Sequence, residues 1–112
     1  TVLRVYRGQG VDILARNAPC LVFALTKRLN TAGVSSAGQC WAYAQLFAQT
    51  IGLGTTIAGF IETCGIAGYK PLMDIVGVPP KQKIVGTMMV GYPKYKFRRM
   101  PERQHLKVEF RD

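Results

Sequence analysis

The hydrophobic residues of the chain form three short runs that predict strands. The run PCLVFALT at 19–26 is apolar and β-prone and is bounded by turn residues, so it predicts a buried strand. TTIAGF at 55–60 predicts a short strand that ends near a glycine. KIVGTMMVGY at 83–92 predicts a second buried strand. Three strands are therefore expected, separated by segments of different periodicity.

A long helix is predicted between the first two runs. Its apolar positions recur at steps of three and four residues: Cys40, Ala44, Phe47, Ala48 and Ile51. Ser35 or Ser36 is predicted to cap its start, because a serine oxygen accepts a hydrogen bond from a free N–H of the first turn. Gly52 and Gly54 are predicted to end it, because glycine adopts the left-handed conformation without steric cost.

The same helix is apolar around most of its circumference. Trp41, Ala42 and Leu46 widen the stripe until few polar positions remain. A helix with this composition is buried in a protein interior or against other chains. We therefore expect burial on more than one side, either within its own domain or against a partner.

A shorter helix is predicted around residues 71–76. Pro71 suits an early helical position, and Gly77 suits the stop. Residues 1–17 favour broken helical turns at best, because glycines interrupt their apolar positions. The predicted order is strand, helix, strand, helix, strand and an extended basic tail. This alternation predicts an α/β (α+β) fold with helices packed on a sheet.

Composition limits the chain to one globular domain. Its 112 residues are 48% apolar and 19% charged, and no apolar run approaches the roughly 20 residues that cross a bilayer. Arg4 and Arg7 stand where a signal peptide would be apolar. Cys20, Cys40 and Cys64 are odd in number and widely spaced, which favours free thiols in the core over disulfides or a zinc ribbon. A cytoplasmic location is predicted.

The positive charge is concentrated at the C-terminal end. Residues 81–112 carry nine Lys or Arg against three Asp or Glu, which is +6 of the net +9. The tail mixes rings with cations: Tyr92, Lys94, Tyr95, Lys96, Phe97, Arg98 and Arg99. Stacking rings and phosphate-binding cations are typical of single-stranded nucleic-acid binding. The same residues suit a flavin phosphate or an arm that wraps a second subunit, and composition leaves these alternatives open.

Several catalytic motifs do not occur in the sequence. Gly52-Leu53-Gly54 follows a helix and precedes a strand, which reverses the order that a dinucleotide-binding glycine motif requires. His105 is the one histidine, and no acid–base partner is placed by spacing. The carboxylates form no pair at the spacing of a metal or glycosidase site. The residues themselves therefore predict neither a catalytic side chain nor a metal site.

Five stretches in a fixed order resemble the FMN-dependent nitroreductase family. They are RNAPCLVFAL, the long apolar helix, IGLGTTIAGF, KPLMDIVGVPP and IVGTMMVGYPKYKFRRMPER. Together they cover nearly all of the chain from Asp12 onward and are similar to the C-terminal half of that family. The resemblance implies that residues 1–112 are a single partial domain, the C-terminal part of a nitroreductase-like FMN-binding domain in which helices flank the sheet.

The resemblance also implies an oxidoreductase that works as a homodimer. FMN would lie at the subunit interface, and hydride would pass from NAD(P)H through flavin N5 to a small-molecule acceptor such as a nitroaromatic or a quinone. In the family, a backbone N–H at the position of Gly59 points at flavin N5. Ile57 and Ala58 would cover the ring. Glycine suits this position because it lets the backbone approach a flat ring closely.

The phosphate of FMN is held in this family by basic residues after the G-Y-P stretch. The resemblance carries this role to Lys96, Arg98 and Arg99, with Arg99 as the first choice. Arginine suits the role because its planar fork meets two phosphate oxygens. The family's arginine-rich N-terminal stretch, which also grips FMN, has no counterpart here, so an incomplete flavin site is expected. Ser36 stands where many relatives begin the long helix with an Asp.

The closing stretch RRMPERQHLKVEF is most similar to a subgroup with a preceding ferredoxin-like domain. An iron–sulfur cluster would then belong to that upstream domain, because the three cysteines here lack cluster spacing.

Two other functions remain open. A small basic module would bind nucleic acid through the rings and cations of the tail, and nucleic acid is the less favoured partner. A chain that only dimerises would present an apolar interface around Trp41 and Phe47. Flavin binding separates the oxidoreductase from both, and salt dependence separates the other two.

Overall fold

The structure is a computed structural model that describes residues 2–96, 98–99 and 102–111. Its elements in chain order are α1 (Val2–Gln9), β1 (Cys20–Lys27), α2 (Gly33–Thr50), β2 (Gly54–Ile57), α3 (Gly59–Ile66), α4 (Lys70–Val76) and β3 (Gln82–Gly91). The three predicted strands and both predicted helices are present, and α1 and α3 are additional. Within the described ranges, no helix has the length and apolar character needed to span a membrane.

The strands form an antiparallel sheet with β3 in the centre. The strand order is β1-β3-β2, and β3 pairs with both neighbours. Residues 84–89 of β3 are all buried, which confirms the buried strand predicted there. β1 is an edge strand with many exposed positions, so the prediction of burial is wrong for much of its length.

A β-bulge in β3 places Ile84 and Gly86, which are two residues apart, on opposite faces of the sheet. Ala24 pairs with Gly86 and Leu25 pairs with Ile84, so Val85 is the extra residue of a β-bulge. Successive residues of β1 face opposite sides, and so do their partners. Gly86 and Ile84 therefore face opposite sides of the sheet.

Each of these two positions meets a different helix at close range. A Cβ on Gly86 would lie 3.0 Å from Cε2 of Trp41 in α2, and closer still to its Nε1. On the other face, a Cβ on Gly65 of α3 would lie 2.6 Å from Cγ2 of Ile84. Neither contact has room for a further carbon. The sheet is therefore covered by α2 on one face and by α3 on the other, at distances that the two glycines allow.

The long helix α2 buries only one of its faces. The buried residues are Gly33, Ala37, Trp41 and Ala48. Cys40, Phe47 and Ile51 of the predicted stripe are exposed, so the predicted phase is wrong. Because α2 is apolar around its whole circumference, its hydrophobic periodicity is weak and does not indicate which side is buried. The predicted burial on a second side is not met within the chain, and Phe47 is 65% exposed.

The start of α2 differs from the prediction. Ala32 is the N-cap residue, its carbonyl accepts the N–H of Ser36 at 3.0 Å, and no side chain caps the helix. Ser35 and Ser36 lie inside the first turn, so the predicted serine cap is wrong. The preceding turn is held instead by Asn30, whose Oδ1 accepts the N–H of Ala32 at 3.1 Å.

The end of α2 is where the sequence predicts it. Gly52 has a φ of 76°, and the N–H of Leu53 donates to the carbonyl of Ala48 at 2.9 Å. This is the Schellman arrangement, which favours glycine at the left-handed position. Gly54 does not contribute to the stop and begins β2 instead, where a Cβ would lie 3.3 Å from Cβ of Pro93.

The helix α3 replaces the end of the predicted strand at 55–60. Gly59 is its first residue, Ala58 is its N-cap, and no side chain caps it. Two glycines inside it, Gly59 and Gly65, and the lack of a Ser, Thr, Asp or Asn cap hide the helix from sequence patterns. α4 matches its prediction, with Pro71 in the first turn and Gly77 left-handed at the C-cap.

The cysteines do not occupy the predicted core positions. All three thiols are free; Cys20 and Cys40 are exposed and Cys64 is half-buried. The prediction of core thiols is therefore wrong for Cys20 and Cys40. Cys40 belongs to the exposed apolar side of α2 together with Phe47.

Candidate functional site

The junction between β2 and α3 brings three predicted site residues to the edge of β3. The N–H of Ala58 donates to the carbonyl of Thr87 at 2.9 Å, which ends the ladder between β2 and β3. The chain then turns directly into α3, whose first internal bond runs from the N–H of Glu62 to the carbonyl of Ala58 at 2.9 Å. Gly59, as the first helical residue, presents an N–H that has no acceptor among the described residues.

The surroundings of the three residues differ. Gly59 is exposed, and no atom would lie within 4 Å of a Cβ built there, apart from its own neighbours and helix backbone. Ile57 is 37% exposed and offers an apolar surface beside it. Ala58 is only 3% exposed, so its side chain packs inside this chain. The junction therefore presents an open backbone donor and one apolar side chain.

Glu62 holds this junction against β3. Its Oε2 accepts the N–H of Thr87 at 3.2 Å, in the place where a continuing β2 would have supplied a carbonyl. Thr87 is 0% exposed, and its Oγ1 has no partner among the described residues. A carboxylate in the first turn of a helix is also favoured by the helix dipole. Sequence reasoning missed this role; the signal was an acid early in a helix that was itself not predicted.

Replacing Glu62 with alanine is expected to destabilise the chain by about 1–3 kcal/mol, because a buried N–H on β3 loses its acceptor. Glu62→Gln keeps an acceptor oxygen and is the matched control, with a loss well below that of the alanine variant. Urea unfolding of the three proteins measures the difference. Equal losses for the two variants would mean that the bond to Thr87 carries no stability.

The turn that leads into β1 is organised by Asp12. Its carboxylate accepts the N–H groups of Ala15 at 2.9 Å, Leu14 at 3.0 Å and Asn17 at 3.2 Å. Hydrogen bonds to the backbone, that of Ala15 first, hold the pKa of Asp12 below its ordinary value. The same turn places Arg16 and Asn17 in the left-handed region, with φ of 53° and 55°. Asp12 therefore stabilises a turn that two non-glycine residues make unfavourable.

A lowered pKa predicts the pH range in which Asp12 contributes. Its stabilisation is complete above the pKa of the unfolded chain, about 3.9, and is lost as the pH falls through the lower folded pKa. Asp12→Ala should therefore lower the Tm at pH 7, and the difference from the unsubstituted chain should shrink below about pH 4. Thermal unfolding across this range measures it. A difference that is constant with pH would contradict the role of the ionised carboxylate.

The basic tail leaves the sheet at the end of β2 opposite to the β2–α3 junction. Gly54 pairs with Gly91 at one end of β2, whereas Ile57 pairs with Met88 at the other. The tail follows Gly91, and Gly59 follows Ile57. The two groups of predicted flavin ligands therefore follow opposite ends of the pairing between β2 and β3, which lie three residues, or about 10 Å, apart.

The tail has no helix or strand in its described part, 92–96, 98–99 and 102–111. Lys96, Arg98 and Arg99 are exposed there. Among all the described residues, the sole ion pair joins Arg111 Nη2 to Glu109 Oε2 at 3.9 Å. The three predicted phosphate ligands are thus not neutralised by a described carboxylate. Phe97, named among the stacking rings, lies outside the described residues.

The first tail residues and one end of the sheet line an open groove. It has a volume of about 600 Å³ and is lined by residues 15–19, 54–56 and 89–95. Lys94 Nζ lies 5.7 Å from the centroid of the Tyr95 ring at its rim, which is a cation–π distance. The predicted alternation of rings and cations is therefore present as one exposed pair beside the sheet.

Comparison with known proteins now decides the family. The profile of the Nitroreductase family matches residues 6–92, most of the chain. The chain belongs to the nitroreductase family. The family resemblance that five sequence stretches indicated is confirmed, and no curated protein sequence gives a significant match.

Two solved nitroreductase structures share the fold of this nitroreductase-family chain. A nitroreductase with bound FMN from Bacteroides fragilis NCTC 9343 superimposes with a TM-score of 0.66 at 19% identity. An FMN-dependent nitroreductase from Clostridium difficile R20291 gives 0.61 at 16% identity. The matches cover 96% of this chain but 60% and 69% of the two relatives. The predicted nitroreductase-like sheet with flanking helices is confirmed, and the chain spans about two thirds of a relative's length or less.

Proposed function

We propose that this chain is the C-terminal part of a flavin oxidoreductase that uses FMN to pass hydride from NAD(P)H to a small acceptor such as a nitroaromatic or a quinone. The observation that carries the proposal is the N–H of Gly59, exposed and without a described acceptor at the first position of α3. Family membership and the FMN named for both structural relatives support it.

The residues of the β2–α3 junction fit a flat ring. Apart from the two adjoining residues and the backbone of α3, no described atom lies within 4 Å of the Cβ position of Gly59. A planar group can therefore lie directly against the backbone there. Ile57 would then contact the ring with its exposed apolar part and keep water away from it. Ala58 would not contact the ring. The bond from its N–H to the carbonyl of Thr87 fixes the point at which Gly59 begins the helix.

FMN when bound would supply the hydride chemistry, and the chain would supply position and charge. The N–H of Gly59 would donate to flavin N5. Lys96, Arg98 and Arg99 would neutralise the phosphate, with Arg99 making the planar two-point contact that a phosphate favours. None of these roles requires a side chain of this chain to act as acid or base.

A homodimer with FMN at the subunit interface is part of this proposal. In such a pair the tail of one chain would contribute to the site at the β2–α3 junction of the other. The exposed apolar side of α2, with Tyr43, Leu46 and Phe47, offers a surface for such pairing. Trp41 is buried against the sheet and would not take part. A cytoplasmic location remains a prediction, and the proposed hydride donor is NADH or NADPH without a choice between them.

Arg99→Ala is expected to weaken FMN binding by about 10- to 100-fold, the loss of one charge-assisted contact. Lys107→Ala removes the same charge from the same tail outside the proposed phosphate contact and should change binding less than about threefold. Titration of FMN against each chain, followed by flavin fluorescence, measures both. Equal weakening by the two variants would show that only the overall charge of the tail matters.

A further inference from the structure

The end of the sheet away from the tail carries a second concentration of charge. Residues from the end of β1 and the start of β3 line one open pocket of about 700 Å³: Lys27, Arg28, Leu29, Pro80, Lys81 and Gln82. We call it the distal basic pocket. Three of its six lining residues are cations and none is an acid. Lys83, one position further along β3, pairs with Thr26 and adds a fourth cation nearby.

The frame of this pocket is fixed by hydrogen bonds of the backbone. The N–H of Arg28 donates to the carbonyl of Lys81 at 3.0 Å, so two cationic residues lie side by side, one just after β1 and one just before β3. The N–H of Asn30 donates to the carbonyl of Lys27 at 3.0 Å, and its Nδ2 donates to Oγ1 of Thr26 at 2.9 Å. The turn after β1 is therefore tied back to the strand it leaves.

Such a juxtaposition is unfavourable without an anion. Like charges held side by side repel, and the sole ion pair among the described residues lies in the tail. Clustered cations in a concave site raise the local concentration of anions. Leu29, at 95% exposure, and Pro80 add an apolar surface to the same pocket.

We propose that the distal basic pocket binds a small organic phosphate of the nucleoside di- or triphosphate class, at a site separate from the proposed flavin site. Its volume is within the range of small-ligand pockets, roughly 300–1,000 Å³. The cations would meet the phosphates, and Leu29 and Pro80 would contact the nucleoside. Three cations line this one pocket, which favours a compact anion with several charges over a long polyanion.

The distance from the β2–α3 junction makes the site separate. The N–H of Ala58 is hydrogen-bonded to the carbonyl of Thr87 in β3. Lys81, which lies next to the first residue of β3, is six residues before Thr87. At about 3.3 Å per residue this is roughly 20 Å. A ligand in the distal basic pocket therefore does not contact Gly59, and the two proposals stand or fall independently.

Calorimetric titration of the full chain with ATP tests the proposal. We expect saturable binding that Lys81→Glu weakens by more than about tenfold, while Lys107→Glu, the same charge reversal in the tail, changes it less than about threefold. Arg28→Gln, which keeps the backbone N–H bonded to Lys81, should weaken binding as well and guards against a folding defect in the first variant. Circular dichroism checks that each variant folds.

Titrations with other ligands identify the class of ligand that the pocket binds. Adenosine should not bind, and inorganic phosphate should bind much more weakly than ATP. FMN binding should be unchanged by Lys81→Glu, which separates this proposal from the flavin proposal. No ATP binding, or equal loss with Lys81→Glu and Lys107→Glu, would overturn the site. An oligonucleotide that binds more tightly than ATP, with its affinity lost in Lys81→Glu, would overturn the assignment to a small organic phosphate.

Discussion

Replacing Gly86 with alanine should destabilise the chain more than any other single methyl addition. The new Cβ would lie 3.0 Å from Cε2 of Trp41 and closer to Nε1, inside a contact between a buried helix face and the central strand. The indole is a rigid group held between α2 and β3, so either the helix or the strand has to move. We expect a loss of about 3 kcal/mol, at the upper end of overpacking costs, seen as a lower urea midpoint with an unchanged slope.

A matched glycine makes this result specific. Gly38 lies in α2 with no atom near its Cβ position, so Gly38→Ala should stabilise by up to about 1 kcal/mol through helix propensity. Trp41→Ala removes the atoms that meet the new methyl, and the double variant with Gly86→Ala should lose less than the sum of the single changes. Additive losses in the double variant would show that the contact with Trp41 is not the cause.

The second large effect is expected at Gly59, where a proline should remove the proposed flavin donor without disturbing the fold. Proline is tolerated at the first helical position, since the N–H there has no partner in the helix. Ala58, with φ of −88° and ψ of 67°, is outside the helical region that a following proline disfavours. We expect Gly59→Pro to keep the unfolding midpoint but to weaken FMN binding by about 5- to 100-fold, the value of one lost hydrogen bond.

Gly59→Ala is the control for this variant. It keeps the N–H, and its Cβ would meet no atom within 4 Å of the described chain, so stability should change little. The affinity for FMN should stay within about threefold of that of the unsubstituted chain, because the N–H that donates to the ring is kept. Equal losses for proline and alanine would point to the space at Gly59 and not to its donor. Full binding by the proline variant would remove the N–H from the proposed site.

The sequence predicts the strands well because their chemistry is local. The runs at 19–26, 55–60 and 83–92 are bounded by turn residues and correspond to β1, β2 and β3. Gly52 and Gly77 mark helix ends for a local reason too, since each takes a left-handed conformation that few other residues adopt. Elements specified by their own backbone chemistry can therefore be located without the tertiary structure.

Features that depend on tertiary contacts escape the sequence. α3 has no capping side chain and contains Gly65, whose place in a helix makes sense only because Ile84 lies where a Cβ would be. The buried face of α2 is set by Trp41 against Gly86, not by the strongest apolar repeat. A single helical sequence that is apolar all round does not specify which side the sheet takes.

The candidate site follows the same division. The three predicted residues of the β2–α3 junction and the cations of the tail can be named from the order of motifs, but their separation along β2 depends on strand pairing. Glu62 could not be assigned from sequence, because its partner is an N–H of Thr87 on another element. The distal basic pocket also arises only when the end of β1 meets the start of β3.

Anaerobic reduction of the FMN-loaded chain tests the central claim most directly. The chain is loaded with FMN, freed of excess flavin and mixed with NADH or NADPH while the absorbance of oxidised flavin is followed. The account predicts loss of that absorbance with at least one of the two donors, and its return when a quinone or a nitroaromatic is added. Bound FMN that neither donor reduces would contradict the proposed oxidoreductase function, whereas a chain that retains no FMN would show that this partial domain does not hold the flavin by itself.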